Sequence, residues 1–446
     1  MSDKQSTPFR ADDTSRDLSR VAVTVDSALG AVPTAETERY ALLDVLRGLA
    51  LFGVLFVNMV WFATGGAAVP SAMVEALPTA PIDRWVDRFM QVFVFAKANT
   101  VFTFLFGVSF ALQVQRLEQR GAATHNIYLR RLAGLFLIGL LHLFGAWKGE
   151  VLHVYAIAGI ALLLVWRWRT STLIVVGLLL ALVVERLLSQ GERWMHWLGV
   201  DPTAVMFGDR GSSAQMQAAR LVTFQTGSYG DVLRTQWDML LQSGYFGLGL
   251  ATWIVYALGR FMLGVAVARG GYLFEPERHV RALCAAVLIG LPLGLFCTIS
   301  GWLLQALERI GWITAGPDWR MLSSVVTPLG TMLMAVAYVA CVALAWGYAP
   351  LRRLLIVAAP AGQMALTTYL LQTVFNSLVF FGFGLGFVGR VGAAGCLLLS
   401  LAFFAVQVVV SRFWLRHFRF GPFEWLWRWW TYGVRPVWRR DGDVRP

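Results

Sequence analysis

An α-helix needs about 20 mostly apolar residues to cross the hydrocarbon core of a bilayer. Such stretches recur along almost the whole chain. They lie near 42–63, 99–115, 132–147, 151–166, 171–188, 246–268, 280–303, 321–347, 354–381 and 391–411. The stretches at 99–115, 132–147 and 151–166 are the shortest. Of the 446 residues 57% are hydrophobic and 14% are charged, against roughly 25% charged in a soluble domain. That leaves too little polar surface for a soluble protein. The expected fold is all-α, a polytopic membrane helix bundle of about ten transmembrane helices. A further stretch, 82–98, is amphipathic and is expected to lie along the interface.

The net charge of +12 is a topology signal. Cytoplasmic loops carry an excess of Lys and Arg. With the N-terminus inside, Arg116, Arg120, Arg130, Arg131, Arg167, Arg169, Arg269, Arg278, Arg281, Arg352 and Arg353 all fall on that side. So do the arginines after residue 411. Both termini are therefore expected in the cytoplasm. The basic residues would meet anionic lipid headgroups, and no nucleic acid is needed to explain them. The chain divides into a disordered cytoplasmic tail at 1–38, a five-helix membrane bundle at 39–188 and an extracytoplasmic loop at 189–245. A second five-helix bundle follows at 246–411, then an interfacial Trp/Arg-rich tail at 412–446. That tail reads as a helix on the membrane surface or as a gate over a cytoplasmic mouth. Cys284, Cys297, Cys341 and Cys396 lie in apolar stretches without metal-ligand spacing and read as core residues.

A charge inside a membrane helix costs at least about 2.5–3.5 kcal/mol on insertion scales, so such residues mark candidate sites. In the first span Asp44, Arg47 and Asn58 fall within roughly 60° of one another and form a stripe about 21 Å long. They suit a site, or an Asp–Arg pair closing the helix start and a hydrogen-bonded Asn. His142 ends the third span, and Glu150 and His153 open the fourth after a short link. A His beside a carboxylate is the minimum equipment for general base catalysis. No metal site is expected, because the two His and the Glu lack a further firm ligand. Tyr256 and Arg260 make a second stripe with Thr252. Arg260 requires a carboxylate, with Asp44 the candidate, or an anionic ligand such as a phosphate. Gln363, Thr367, Tyr369, Gln372 and Asn376 make an unusually polar helix that would face a cavity or the bundle interior.

Several blocks of this sequence resemble the YeiB-like family of bacterial membrane proteins, which carries a C-terminal domain of unknown function numbered 418. They are Arg39–Gly48 continuing to Val57-Asn58, Phe102–Gly107, Tyr128-Leu129-Arg130-Arg131, Gly139–His142, Tyr155-Ala156, Gly362–Gln372 and Phe420–Arg428. The resemblance covers nearly all of 39–433 and implies a multi-pass protein of the bacterial inner membrane. Glu150 stands where an Asp is expected, and Thr368 where an Asn is. The first span is also similar to that of transmembrane acyltransferases, which include heparan-alpha-glucosaminide N-acetyltransferase. That similarity implies a cytoplasmic acyl-CoA donor, with Asp44, Arg47 and Asn58 matching the shared pattern. The His that follows the Asn in that pattern has no counterpart here, since residues 59–82 contain none.

The expected activity is acyl transfer from a cytoplasmic acyl-CoA-like donor to an extracytoplasmic or lipid-linked acceptor, a small molecule or a lipid-linked substrate. Arg47 and Arg260 would bind the donor phosphates. Tyr256, Gln363, Thr367 and Gln372 would line the site. His142, oriented by Glu150, would act as base, and Asn58 would polarise the carbonyl. The alternatives are a transporter or flippase of an amphiphilic anion, and an envelope factor without chemistry. Apart from that donor, no cofactor is implied.

Overall fold

The computed structural model describes residues 40–121, 124–189, 191, 214–312 and 317–440. The tail at 1–38 and much of the loop at 189–245 lie outside these residues. Among the described residues the regular secondary structure is helical, apart from one isolated bridge between Phe418 and Arg439. In order, the helices are α1 Ala41–Ala63, α2 Ala80–Phe89, α3 Lys97–Gln119, α4 Thr124–Gly145, α5 Leu152–Val165 and α6 Thr170–Ser189. Next come α7 Ala214–Thr226, α8 Tyr229–Gln242, α9 Tyr245–Arg269, α10 Val280–Arg309 and α11 Pro317–Trp346. The last four are α12 Ala349–Gln363, α13 Ala365–Phe380, α14 Ala393–His417 and α15 Pro422–Tyr432.

The chain forms a multi-pass helical membrane bundle. Among the described residues eight helices are long and apolar enough to cross a membrane, or nine if the bent pair α12–α13 makes one span. The pair bends by 79° at Met364. The expected span at 151–166 becomes α5, which has only 14 residues. At 1.5 Å per residue it is about 21 Å long, short of a bilayer core. Most of it is interior: Val154, Tyr155, Ala156, Ala158 and Leu162 are all at most 2% exposed, while Ile160 and Leu164 face outward. Periodicity does not separate such a helix from a span, since both are apolar all round.

In the stretch at 82–98 the first part, α2, packs against α14 and leaves Ile82, Trp85 and Phe89 exposed. Asp83 is buried and accepts the Ala394 main-chain N–H at 2.8 Å, which satisfies one of the free donors at the α14 N-terminus. The chain then turns through Ala96 (φ 60°) into α3. In the C-terminal tail, α15 is tied to α4. Trp427 and Trp430 donate their indole N–H groups to the carbonyls of Arg131 (2.8 Å) and Arg130 (2.9 Å) on α4.

The main core gathers α1, α3, α4, α5 and α9 around Leu51, Phe110, Tyr128, Leu132, Tyr155 and Phe261. The end of α12 crosses α1 at backbone contact. A Cβ on Gly362 would run into the Asp44 carbonyl, and one on Gly48 into the Ala358 carbonyl. Without side chains there, the bend at Met364 can bring Gln363 beside Asp44. Overpacking a tight contact costs about 1–3 kcal/mol. Gly362→Ala is therefore expected to lower the thermal unfolding midpoint of the purified protein in detergent. Gly145→Ala, where an added Cβ meets nothing within 4 Å, should leave it unchanged. Equal midpoints for the two variants would show that the crossing does not limit stability.

Candidate functional site

The first turn of α1 opens onto a cavity of about 260 Å³. Its walls include Asp44, Arg47, Ser109, Arg116, Arg131, Gln363, Glu424 and Arg428. Arg47 donates to the Asp44 carboxylate at 2.6 Å and to the Ser109 hydroxyl at 2.7 Å. The first-span pair is thus an ion pair and also cavity wall. Arg131 lies over the Trp427 ring with 3.9 Å from its guanidinium carbon to the ring centroid. Its Nε is buried without a hydrogen-bond partner. Four arginines and two carboxylates make this end of the cavity cationic.

The cavity also touches Leu152, Tyr155 and Tyr369. Behind Tyr369 lies the pair expected from the sequence. His142, in the last turn of α4, places Nδ1 3.1 Å from Glu150 Oε2. The short link holds Glu150 just before α5, where its carboxylate accepts the main-chain N–H of Val151 at 2.8 Å and that of Leu152. These are free donors at a helix start, where negative charge is favoured. The Tyr369 hydroxyl donates to the same carboxylate at 3.4 Å, and its ring meets His142 edge-on at 5.4 Å. With Nδ1–H given to Glu150, the His142 Nε2 lone pair is left over. It is buried with no partner. His153 stands 4.0 Å from Glu150 and pairs instead with the Tyr245 hydroxyl through Nε2, at 2.6 Å.

Other candidates fall elsewhere. Arg260 does not meet Asp44. It pairs with Glu185 at 3.1 Å, stacks on Tyr256, and donates to Thr100 and to the Tyr256 carbonyl. With its charge compensated and its side chain 3% exposed, Arg260 joins α3, α6 and α9 and lines a separate, mostly apolar cavity of about 670 Å³ rather than the arginine-lined one. Tyr256 is held with it, at 3.2 Å from the Thr100 hydroxyl. Gln372 donates to Gln407 at 3.1 Å and so ties α13 to α14. Asn58 is half-buried on α1 and makes no hydrogen bond to His142 or Glu150. Thr367 is taken up by Glu424: its N–H and hydroxyl donate to that carboxylate at 3.0 and 2.5 Å.

Arg131, Glu424 and Arg428 were not among the expected site residues. Arg131 reads from the sequence as a topology charge, and the other two as parts of a surface tail. Their signal was present in the blocks Tyr128–Arg131 and Phe420–Arg428, which carry the family resemblance.

Burial raises the Glu424 carboxyl above its usual range, and the hydrogen bonds from Thr367 oppose that rise. An acid raised on folding holds its proton more tightly in the folded state. Its contribution is complete below its ordinary value of 4.5 and is lost as the pH climbs through the raised value. Protection of 422–432 from hydrogen exchange, corrected for the intrinsic rate, should therefore fall as the pH rises above that point. Glu424→Gln should remove the trend; the same trend in the variant would assign it to another group.

A model described as "Protein of unknown function (DUF418)" matches residues 267–434. The uncharacterized protein YxaH of Bacillus subtilis is 30% identical over 422 residues, covering 90% of this chain and 96% of that protein. The uncharacterized protein YeiB of Escherichia coli is 26% identical over 405 residues, covering 88% and 96%. A 39.9 kDa protein encoded beside an amylase in Bacillus acidopullulyticus is 27% identical over 406 residues.

Proposed function

The chain belongs to the YeiB-like family of membrane proteins, and from that premise we propose that it is a transmembrane acyl-group transferase using an amphiphilic anionic donor such as an acyl-CoA. The observation that carries this reading is the His142–Glu150 pair with a spare buried Nε2, separated by Tyr369 from an arginine-lined cavity. A carboxylate on Nδ1 fixes the tautomer that leaves Nε2 basic.

Arg47 and Arg131 hold the donor's phosphates, with Arg131 in the role first expected of Arg260. By the positive-inside rule this end faces the cytoplasm, and both termini lie there, in the bacterial inner membrane. A cavity of about 260 Å³ admits the acyl-thioester arm and not a whole nucleotide, which stays at the mouth. The Tyr369 ring swings aside to bring the thioester to His142. His142 Nε2 takes the proton of the acceptor's hydroxyl or amine as that atom attacks the carbonyl carbon. The C–S bond then breaks, and the thiolate leaves with the proton from His142.

The assay is release of free thiol from acyl-CoA by the purified protein in liposomes with an amine or sugar acceptor inside. Loss of a general base is worth about 10²–10⁴-fold, so His142→Ala should reduce kcat by that much. Arg131→Ala should mainly raise KM. Full activity in His142→Ala would overturn the reading.

The bend at Met364 favours a second reading. Broken helices whose half-helix ends meet a binding cavity are a device of transporters, and Gln363, Ala365 and Leu366 line this cavity. Uptake of an unmodified anion into liposomes, unaffected by His142→Ala, would decide for transport.

A further inference from the structure

α1 begins at the arginine-lined cavity with Asp44 and Arg47. At its other end, about 35 Å away at 1.5 Å per residue, the chain makes a left-handed turn. Gly65, Gly66 and Ala67 have φ of 57°, 60° and 76°. A side chain is disfavoured in that region, so Ala67 is a strained position of the kind that clusters at functional sites. The turn wraps a lysine. A Cβ on Gly66 would lie 3.1 Å from Lys148 Nζ and 3.2 Å from its Cε. Gly66 thus satisfies two demands, the positive φ and room for the ammonium.

Lys148 belongs to the short link between His142 and Glu150, and α8 holds that link in place. The Lys148 main-chain N–H donates to Gln236 Oε1 at 3.1 Å, and Gln236 Nε2 donates to the Ala146 carbonyl at 3.3 Å. Among the described residues the ammonium itself donates only to the thioether of Met239, at 3.6 Å, a weak acceptor. Burial, aided by the nearby charge of Arg220, pushes the Lys148 ammonium down to about 8. α7 lies against the turn, where a Cβ on Gly65 would meet the Phe224 ring at 3.0 Å, and Arg220, one turn earlier on α7, is held by Gln242 on α8. Among the described residues no carboxylate lies within ion-pair distance of either cation. A half-buried ammonium on a fixed scaffold, without a counter-charge and beside a second cation, is costly unless an anion joins it.

We propose that Lys148, Arg220 and the Gly65–Ala67 turn form a second anion site, at the end of the bundle opposite the arginine-lined cavity, that takes a phosphate group. The two positive charges match a phosphate dianion, and an ammonium with a guanidinium fork supplies enough donors for its oxygens. The phosphate is either that of a lipid headgroup or free phosphate. The site does not depend on whether His142 is a base.

The chain has three lysines, Lys4, Lys97 and Lys148, and Lys97 is buried with its ammonium on the Gln91 carbonyl. Acylation of Lys148 by an amine-reactive ester can therefore be read cleanly by mass spectrometry, with Lys4 as reference. The full chain in a phosphate-free maltoside detergent is labelled with added inorganic phosphate, with a short-chain phosphatidylglycerol, or with chloride at matched ionic strength. Protection by both phosphate compounds shows that the bare group suffices, and protection by the lipid alone assigns the site to a headgroup. Arg220→Gln, which keeps the reporter, should raise the half-protecting concentration about tenfold, the value of one charge-assisted bond. No protection, equal protection by chloride, or unchanged protection in Arg220→Gln would each overturn the site. Because the label is read at Lys148 itself, failure here leaves the acyl-transfer assay to be judged separately.

Discussion

The Glu150 carboxylate ties the centre of the bundle together. It is buried, yet it accepts from the start of α5, from His142 on α4 and from Tyr369 on α13. Three helices are thus fixed by one negative charge placed where helix-start donors compensate it. Removing any of its donors leaves a carboxylate short of partners in a place water does not reach, a cost of about 1–3 kcal/mol or more. The same constraint recurs through the structure. Glu185 neutralises Arg260, Asp44 takes Arg47, and Glu424 finds donors at the start of α13.

The fold class was legible because membrane spanning is a matter of length and apolarity, both visible in a single sequence. The span count was less so. α5 is as apolar as its neighbours, but it is too short to span and most of its side chains are interior. The pairing of His142 with Glu150 was legible because a short link leaves the two residues little freedom. The partner of Arg260 was not, since Glu185 and Asp44 lie on different helices and only packing chooses between them. Arg131 escaped notice for a related reason. An arginine next to a span end reads as a topology charge until a ring such as Trp427, far along the chain, is seen to hold it over a cavity.

The bundle has two chemically distinct ends joined by α1. At one end arginines and α15 frame a cavity; at the other a strained turn wraps Lys148. The His142–Glu150 pair lies between them, reached from the first end past Tyr369 and joined to the second by the link that carries Lys148. A reaction that takes its group from one side of a membrane and hands it to an acceptor on the other needs that order: anion recognition, a base, and recognition again. Transport of an anion would use the two ends equally well, with the imidazole as a proton relay.

The most direct measurement is a structure of the protein in lipid nanodiscs with a non-hydrolysable thioether analogue of an acyl-CoA. The account predicts the analogue's phosphates on Arg47 and Arg131, and its sulfur past Tyr369 within reach of His142 Nε2. An analogue bound away from the cavity, or one whose sulfur stays at the mouth with Tyr369 unmoved, would contradict it.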